Sequence, residues 1–355
     1  MTYENLINEQ LEAMDLEALE ELMGEGGLFN LKITEIISRV LNGESLFQME
    51  GILNSLIGYF LKEVTASISL GVKIIAICIL MGMLLHLSSA FGKSGVSTIS
   101  AMVCSCAVIA LCLLNFMEVY KLCGDTIDRM ALVMQIILPL LLPLLIAMGS
   151  IASGGILNPV ILGAVTLFTT IIQKVILPIL FFSCVFILGN SLADRDYIKK
   201  LAVLLRGFAT FLIGLSVTIF SGLTAIQGFV TKSADGMLVK TAKFSVDNFI
   251  PIVGGFAADS MDMVLSCTAI IKNSIGVFGL FIIITLVAIP LIKLLAIALV
   301  YKITAALVEP IGNKVISDCL NELGNTVITL GVIVFLGALL FIIFLSILIS
   351  LGTTI

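Results

Sequence analysis

Residues 231–276 read TKSADGMLVKTAKFSVDNFIPIVGGFAADSMDMVLSCTAIIKNSIG. A strongly apolar run, 208–229, precedes them, and another, 277–289, comes after. Between these runs the chain places Asp235, Asp247, Asp259 and Asp262, with Lys232, Lys240, Lys243 and Lys272, as well as Pro251 and the pair Gly254-Gly255. A solvent loop needs only polar residues, yet this stretch is half apolar, with Phe249-Ile250, Ile252-Val253 and Phe256-Ala257. Backbone that dips into or lies along a membrane, sheltered by protein or facing water, suits such a mixture. The stretch therefore reads as a polar re-entrant or interfacial interruption, and as the working part of the chain.

Composition sets the class. Hydrophobic residues make up 59% of the chain and charged residues 12%, and the mean hydropathy is +1.20. A soluble domain is about half apolar and roughly a quarter charged. Several runs here approach or exceed the roughly 18 residues that mark a membrane-spanning helix. The expected fold is all-α, a polytopic helical membrane protein with about six to eight spans and a short amphipathic-helical N-terminal head. The division is a head at 1–65 and a membrane domain at 66–355, with the interruption at 231–276 inside the latter.

Charge separates the two parts. Residues 1–65 hold twelve Asp and Glu against Lys32, Arg39 and Lys62, a net −9, and the remainder is +4. An acidic head on a slightly basic membrane body argues against nucleic acid and against anionic lipid as the head's partner. Within the head, Ile7, Leu11 and Met14, then Ile33, Ile36 and Ile37, then Leu46, Met49 and Leu53 recur at helical spacing. Such amphipathic pieces pack on one another or dock partner proteins. Residues 1–10 carry neither a basic segment nor an apolar run of the secretory kind, so either the first span does the targeting or a signal lies upstream of this sequence.

No catalytic, cofactor or metal set emerges. Gly-x-Ser-x-Gly and a phosphate-binding loop are absent, and the lone His86 rules out a paired HExxH. The eight cysteines sit mostly in apolar runs without CxxC spacing, as buried small thiols do, and Cys104-x-Cys106 is a weak metal signal.

Along the chain, spans are expected at about 68–91, 97–117 and 130–152, with a polar connection at 118–129 and kinks at Pro139 and Pro143. Residues 158–189 are too long for one span and are marked by Gln173, Lys174 and Pro178. They are read as two short helices, 159–173 and 175–190, forming a hairpin of the sort that marks transporter sites. The basic segment with Arg195, Lys199, Lys200 and Arg206 belongs in the cytoplasm by the positive-inside rule, which puts 231–276 outside. Residues 277–308, interrupted by Pro290 and Lys293, fit one kinked helix or two spans. A final span covers 326–349.

The segment 242–255, AKFSVDNFIPIVGG, resembles the central signature of the stage III sporulation protein AE family. Asp259, Asp262, Ile271-Lys272-Asn273, Gly276, Leu299-Val300-Tyr301-Lys302 and Glu309-Pro310-Ile311 fit it too. The likeness covers roughly 45–350 and is densest at about 240–312. It implies a multi-pass protein of the mother-cell membrane facing the forespore, part of a secretion-like channel joining the two cells. Implied partners are ring-forming proteins, a secretion-type ATPase, a forespore protein and membrane lipid, and the head would lie in the extracytoplasmic space. Family members usually begin with a cleavable signal, which residues 1–10 do not show.

Two functions fit. The first is a non-enzymatic conduit or gate of that channel, homo-oligomeric because about seven helices rarely enclose a wide pore, with Gly331, Gly337 and Ala338 allowing close helix approach. Its pathway or gating residues would be Asp247, Pro251, Gly254, Gly255, Asp259, Asp262 and Lys272. The second is a stand-alone secondary transporter of a small or anionic solute using Lys174, Lys272 or Lys293. Against the second stands the expectation that no span holds a carboxylate at its centre.

Overall fold

The computed structural model describes residues 49–90, 94–148, 162–192, 198–249, 254–311 and 314–351. Side-chain surroundings are described for 56–84, 99–100, 102–148, 162–192, 198–226, 265–311 and 314–351. Among the described residues the structure is helical, without strands. Helix α1 is Met49–Ala90 and α2 is Ser94–Ala147. Helix α3 is Leu162–Asn190, α4 is Lys199–Phe249, and α5 is Gly254–Val308, succeeded by a 3-10 turn at Glu309–Ile311. Helix α6, Lys314–Ser350, completes the set. All six are long and apolar enough to cross a membrane, so the chain is a multi-pass membrane protein.

Contacts between helices fix their directions. Ser183 Oγ donates to Ala202 O at 2.7 Å, setting the end of α3 against the start of α4. Lys199 Nζ meets Asp318 Oδ2 at 2.9 Å, so α4 and α6 start at the same end. Ser317 Oγ donates to Ala305 O at 2.8 Å, which places the end of α5 there too. At the opposite end Lys272 of α5 reaches the last turn of α6. The result is an up-and-down bundle. Helix α1 packs on α2 and α5, while α4 packs mainly on α3 and α6, so these two stand at opposite edges.

With little hydrophobic drive between helices inside lipid, packing falls to shape and small residues. A Cβ at Gly276 would collide with Ile349, and one at Gly279 with Ile137. A side chain at either position would have to push the isoleucine aside, so glycine here lets α5 lie close to α6 and α2. Gly331, Gly337 and Ala338 are all buried within the chain. Phe168 makes edge contacts with Phe220 and Phe341, locking α3 to α4 and α6. Six cysteines are buried, as their apolar context foretold; Cys267 is half-buried and Cys106 is exposed.

Two expectations change, and one open choice closes. The separate spans 97–117 and 130–152 are one helix, α2, whose 54 residues run through the polar segment 118–129 and through Pro139 and Pro143. The charges there fall on one face and leave the other apolar, so burial continues without a break. The hairpin at 159–190 does not form. Gln173 and Lys174 lie in a single π turn, Ile172–Ile176, and Pro178 opens the next α-helical stretch, Leu177–Asn190. A proline inside a continuous helix forces a departure from regular pairing, and the π turn directly before Pro178 is such a departure. Of the two alternatives held for 277–308, the single helix running through Pro290 is the one that forms.

Two expected boundaries meet the helices differently. The line drawn at 65/66 falls inside α1, and residues 1–48 lie outside the described residues. The interruption at 231–276 resolves into the end of α4 and the beginning of α5, with 250–253 between them outside the described residues.

Candidate functional site

The residues expected to act in 231–276 lie at helix ends. Asp247 is in the last turn of α4, Gly254 and Gly255 open α5, and Asp259 and Asp262 come within its first turns. Their side-chain surroundings, and Pro251 altogether, lie outside the described residues. Lys272 is described and has a structural task. It is fully buried, and its Nζ donates to Ile349 O at 2.9 Å and to Leu351 O. The last carbonyls of a helix lack intrahelical partners, and a lysine that reaches them satisfies both their hydrogen bonds and the negative end of the helix dipole. Lys272 caps α6.

A different group of polar residues stands out. On α2, Glu118, Lys121, Asp125, Asp128 and Gln135 recur every three to seven residues and all face out of the bundle, as does Arg129 beside them. This spacing is that of a single helix face. Between them Val119, Cys123, Thr126, Ile127 and Met130 point inward and are buried. Helix α3 brings Gln173 and Lys174 to the same place: Gln173 Nε2 donates to Asp128 Oδ1. Close by, Gly124 faces Leu177, and Tyr120 makes an edge contact with Phe181.

The height of this stripe matters most. Cys123 Sγ lies 3.8 Å from Leu330 O, and Ile127 lies against Gly337. Leu330 and Gly337 are in the middle of α6, which carries no charge beyond Glu322. Asp125, Asp128 and Arg129 thus stand halfway through the apolar bundle. Asp128 overturns the expectation that no span holds a central carboxylate. Among the described residues two ion pairs form, Lys199–Asp318 and Arg206–Glu322, and neither belongs to the stripe.

The π turn serves this arrangement. One extra residue in a turn rotates the later part of a helix by about 100° relative to the earlier part, because an α-helix advances 3.6 residues per turn. Here Ile172 and Ile176 stay buried while Gln173 meets Asp128. Chemically, the stripe offers three carboxylates, three cations and two amides. It can hold water, pair with charge or pass a hydrated chain; among the described residues it contains no cluster able to ligate a metal.

By hydropathy alone 118–129 reads as a connection between spans. The i, i+3 and i+7 spacing of Glu118, Lys121 and Asp125 is the available signal that the segment is helical with one polar side.

This sequence is similar to known proteins along nearly its whole length. The stage III sporulation protein AE family matches residues 31–352. Stage III sporulation protein AE of Bacillus subtilis (strain 168) is 30% identical over 337 residues, which is 95% of this chain and 84% of that protein. The chain belongs to the stage III sporulation protein AE family. No solved structure matches it.

In this sporulation protein AE family member the signature residues that are described serve packing between α5 and its neighbours. Tyr301 is buried, and its hydroxyl donates to Asn115 Oδ1 at 2.9 Å. Lys302 Nζ donates to Asn325 Oδ1 at 2.8 Å. Gly276 and Lys272 hold the far end of the same α5–α6 contact. Lys272, Gly276, Tyr301 and Lys302 thus lie where α5 meets α6 and α2, apart from the α2 stripe.

Proposed function

We propose that this protein is a non-enzymatic membrane component, conduit or gate, of the secretion-like channel linking mother cell and forespore during endospore formation. Family membership supports a sporulation role. The observation that carries the conduit reading is the charged stripe of α2 at mid-height, facing out of the bundle. A charge facing hydrocarbon there costs on the order of 3 kcal/mol or more. Six such residues, Glu118, Lys121, Asp125, Asp128, Arg129 and Lys174, are sustainable only where water or another protein meets them.

Orientation comes from cationic residues at the bundle ends. Lys199, Lys200, Arg206, Lys302 and Lys314 gather where α4 and α6 begin, and Arg195 belongs to the same segment. The link from α2 to α3, 148–161, at the opposite end, has no Lys or Arg. By the positive-inside rule the first end faces the mother-cell cytoplasm. An even number of crossings then puts the start of α1, the acidic head before it and the α4–α5 turn in the space between the two membranes. Ring-forming proteins, a forespore partner and a secretion-type ATPase on the cytoplasmic side are the expected companions.

The test is to neutralise the stripe with Lys121→Gln, Asp125→Asn and Asp128→Asn together. Normal protein level with a collapse in spore yield is the expected outcome. Unchanged sporulation would remove the stripe from the pathway. Asp128, a central carboxylate beside a π turn, gives the transporter reading a foothold it otherwise lacks. Saturable uptake of a small anion by vesicles containing only this protein would favour it over a conduit.

A further inference from the structure

Helix α1 meets the bundle with two different halves. From Gly71 onward it is seated: Gly71, Ile74, Cys78 and Met81 are buried, a Cβ on Gly71 would collide with Thr304, and Gly82 faces Ile311. From 56 to 70 no residue is buried. Leu56, Phe60, Glu63, Val64, Ser67 and Leu70 form a half-buried row, and the rest of that half is exposed. The row recurs at helical spacing, so it is the face turned to the bundle. The opposing face of α5 is equally unfinished. Leu286, Ile289 and Lys293 are half-buried there, whereas Val300 and Thr304, further along the same face, are buried against Gly71.

This loosely seated part holds two charges. Gly71 beside Thr304 and Gly82 beside Ile311 show that α1 and α5 run in the same direction. Glu63 stands eight residues before Gly71, and Lys293 stands seven before Val300 and eleven before Thr304. At equal rise per residue the two come to one level. That level is the middle of the bundle, because Leu294 lies 3.9 Å from the position that a Cβ on Gly331 would take. Glutamate and lysine side chains are long enough to bridge packed helices about 8–10 Å apart. Yet the ion pairs among the described residues are Lys199–Asp318 and Arg206–Glu322. Other charges at this level turn elsewhere: Lys62 is on the exposed side of α1, Glu118 and Lys121 are exposed on α2, and α6 has no charge after Glu322. A charge at mid-height is costly, and opposite charges there pair with one another or meet water. Placed on two half-seated faces at one level, Glu63 and Lys293 are complementary.

We propose that the first half of α1 is a strap that closes on α5 by turning about the Gly71–Thr304 contact, with Glu63 and Lys293 forming the ion pair that holds it shut. With the pair unmade, the strap stands ajar. Closing brings Leu56, Phe60 and Val64 onto Leu286 and Ile289, so packing and charge pairing act together. The strap continues directly from residues 1–48, so a pull on that segment acts on α1 itself. The proposal stands apart from the conduit reading, because it concerns the α1–α5 gap and not the α2 stripe.

The experiment measures the width of this gap in the full chain, reconstituted in lipid. Spin labels are placed on Ile57→Cys of α1 and Ile284→Cys of α5, both exposed positions, with Cys106→Ser and Cys267→Ser to confine labelling to these two. Pulsed electron resonance is expected to show a short separation, the closed strap, alone or beside a longer one. Lys293→Met and Glu63→Gln should each remove the short separation. Lys293→Glu with Glu63→Lys should restore it, which a loss of packing alone would not allow, and Lys293→Glu with Glu118→Lys should not. A separation that Lys293→Met leaves unchanged overturns the proposal, as does restoration by Glu118→Lys in place of Glu63→Lys. Lys293→Met sets an apolar chain where a charge stood, so this comparison holds even where the reversed charges prevent accumulation.

Discussion

Helices α2 and α4 each show a long face to the outside of the bundle, and the two faces differ. From Arg206 to Lys232, α4 has no charged residue, and its outward positions include Phe208, Phe211, Leu215, Ile219 and Leu223. Over the corresponding height α2 presents Glu118, Lys121, Asp125, Asp128 and Arg129. Equal exposure with opposite chemistry means different surroundings, because hydrocarbon rejects charge while water is indifferent to a helix that carries it. The bundle therefore has a lipid side at α4 and a wet or protein-covered side at α2.

That contrast can be broken most sharply from the α4 side. Leu215→Asp places a carboxylate at mid-height against lipid and should cost roughly 2.5–3.5 kcal/mol, enough to empty the membrane of inserted protein. Normal accumulation of this variant would mean that α4 does not face hydrocarbon. A smaller loss is expected from Lys272→Met, which leaves the carbonyls of Ile349 and Leu351 without their donor and should cost about 1–3 kcal/mol in thermal unfolding of the purified protein. An unchanged midpoint would mean that the cap on α6 adds nothing to stability.

Arg206→Gln tests the boundary between the sides. It removes bonds to Glu322 Oε2 at 2.7 Å and Glu322 O at 3.2 Å, and a loss of about 1 kcal/mol is expected. The smallest change belongs to the stripe itself. Asp128→Asn keeps an acceptor for Gln173 and should shift stability by no more than about 0.5 kcal/mol. Accessibility separates the faces independently of stability: Asp125→Cys should react with a water-soluble maleimide in membranes, and Leu215→Cys should not. Equal labelling of the two would erase the distinction between α2 and α4.

The helical membrane class was legible because apolar runs near 20 residues admit few alternatives. The joins were less so. A polar segment such as 118–129 reads as a loop when its charges are counted, and as a helix face when their spacing is taken. Gln173 and Lys174 resemble a hairpin tip, since nothing in one dimension shows that Asp128 waits across the interface. The capping task of Lys272 is invisible in the sequence, because the carbonyls it reaches are 77 and 79 residues away. Each miss concerns a polar residue whose partner is distant in the chain, and hydropathy carries no information about partners.

The unbroken course of α2 has a mechanical consequence. Long helices bend only gently, except at prolines and inserted turns. From Ser94 to Pro139 this one is a stiff strut, pinned along its inner side by Tyr301, Leu330 and Gly337. A push on its Ser94 end is delivered to Asp125 and Asp128 with no hinge in between, so whatever grips that end also holds a lever on the middle of the bundle.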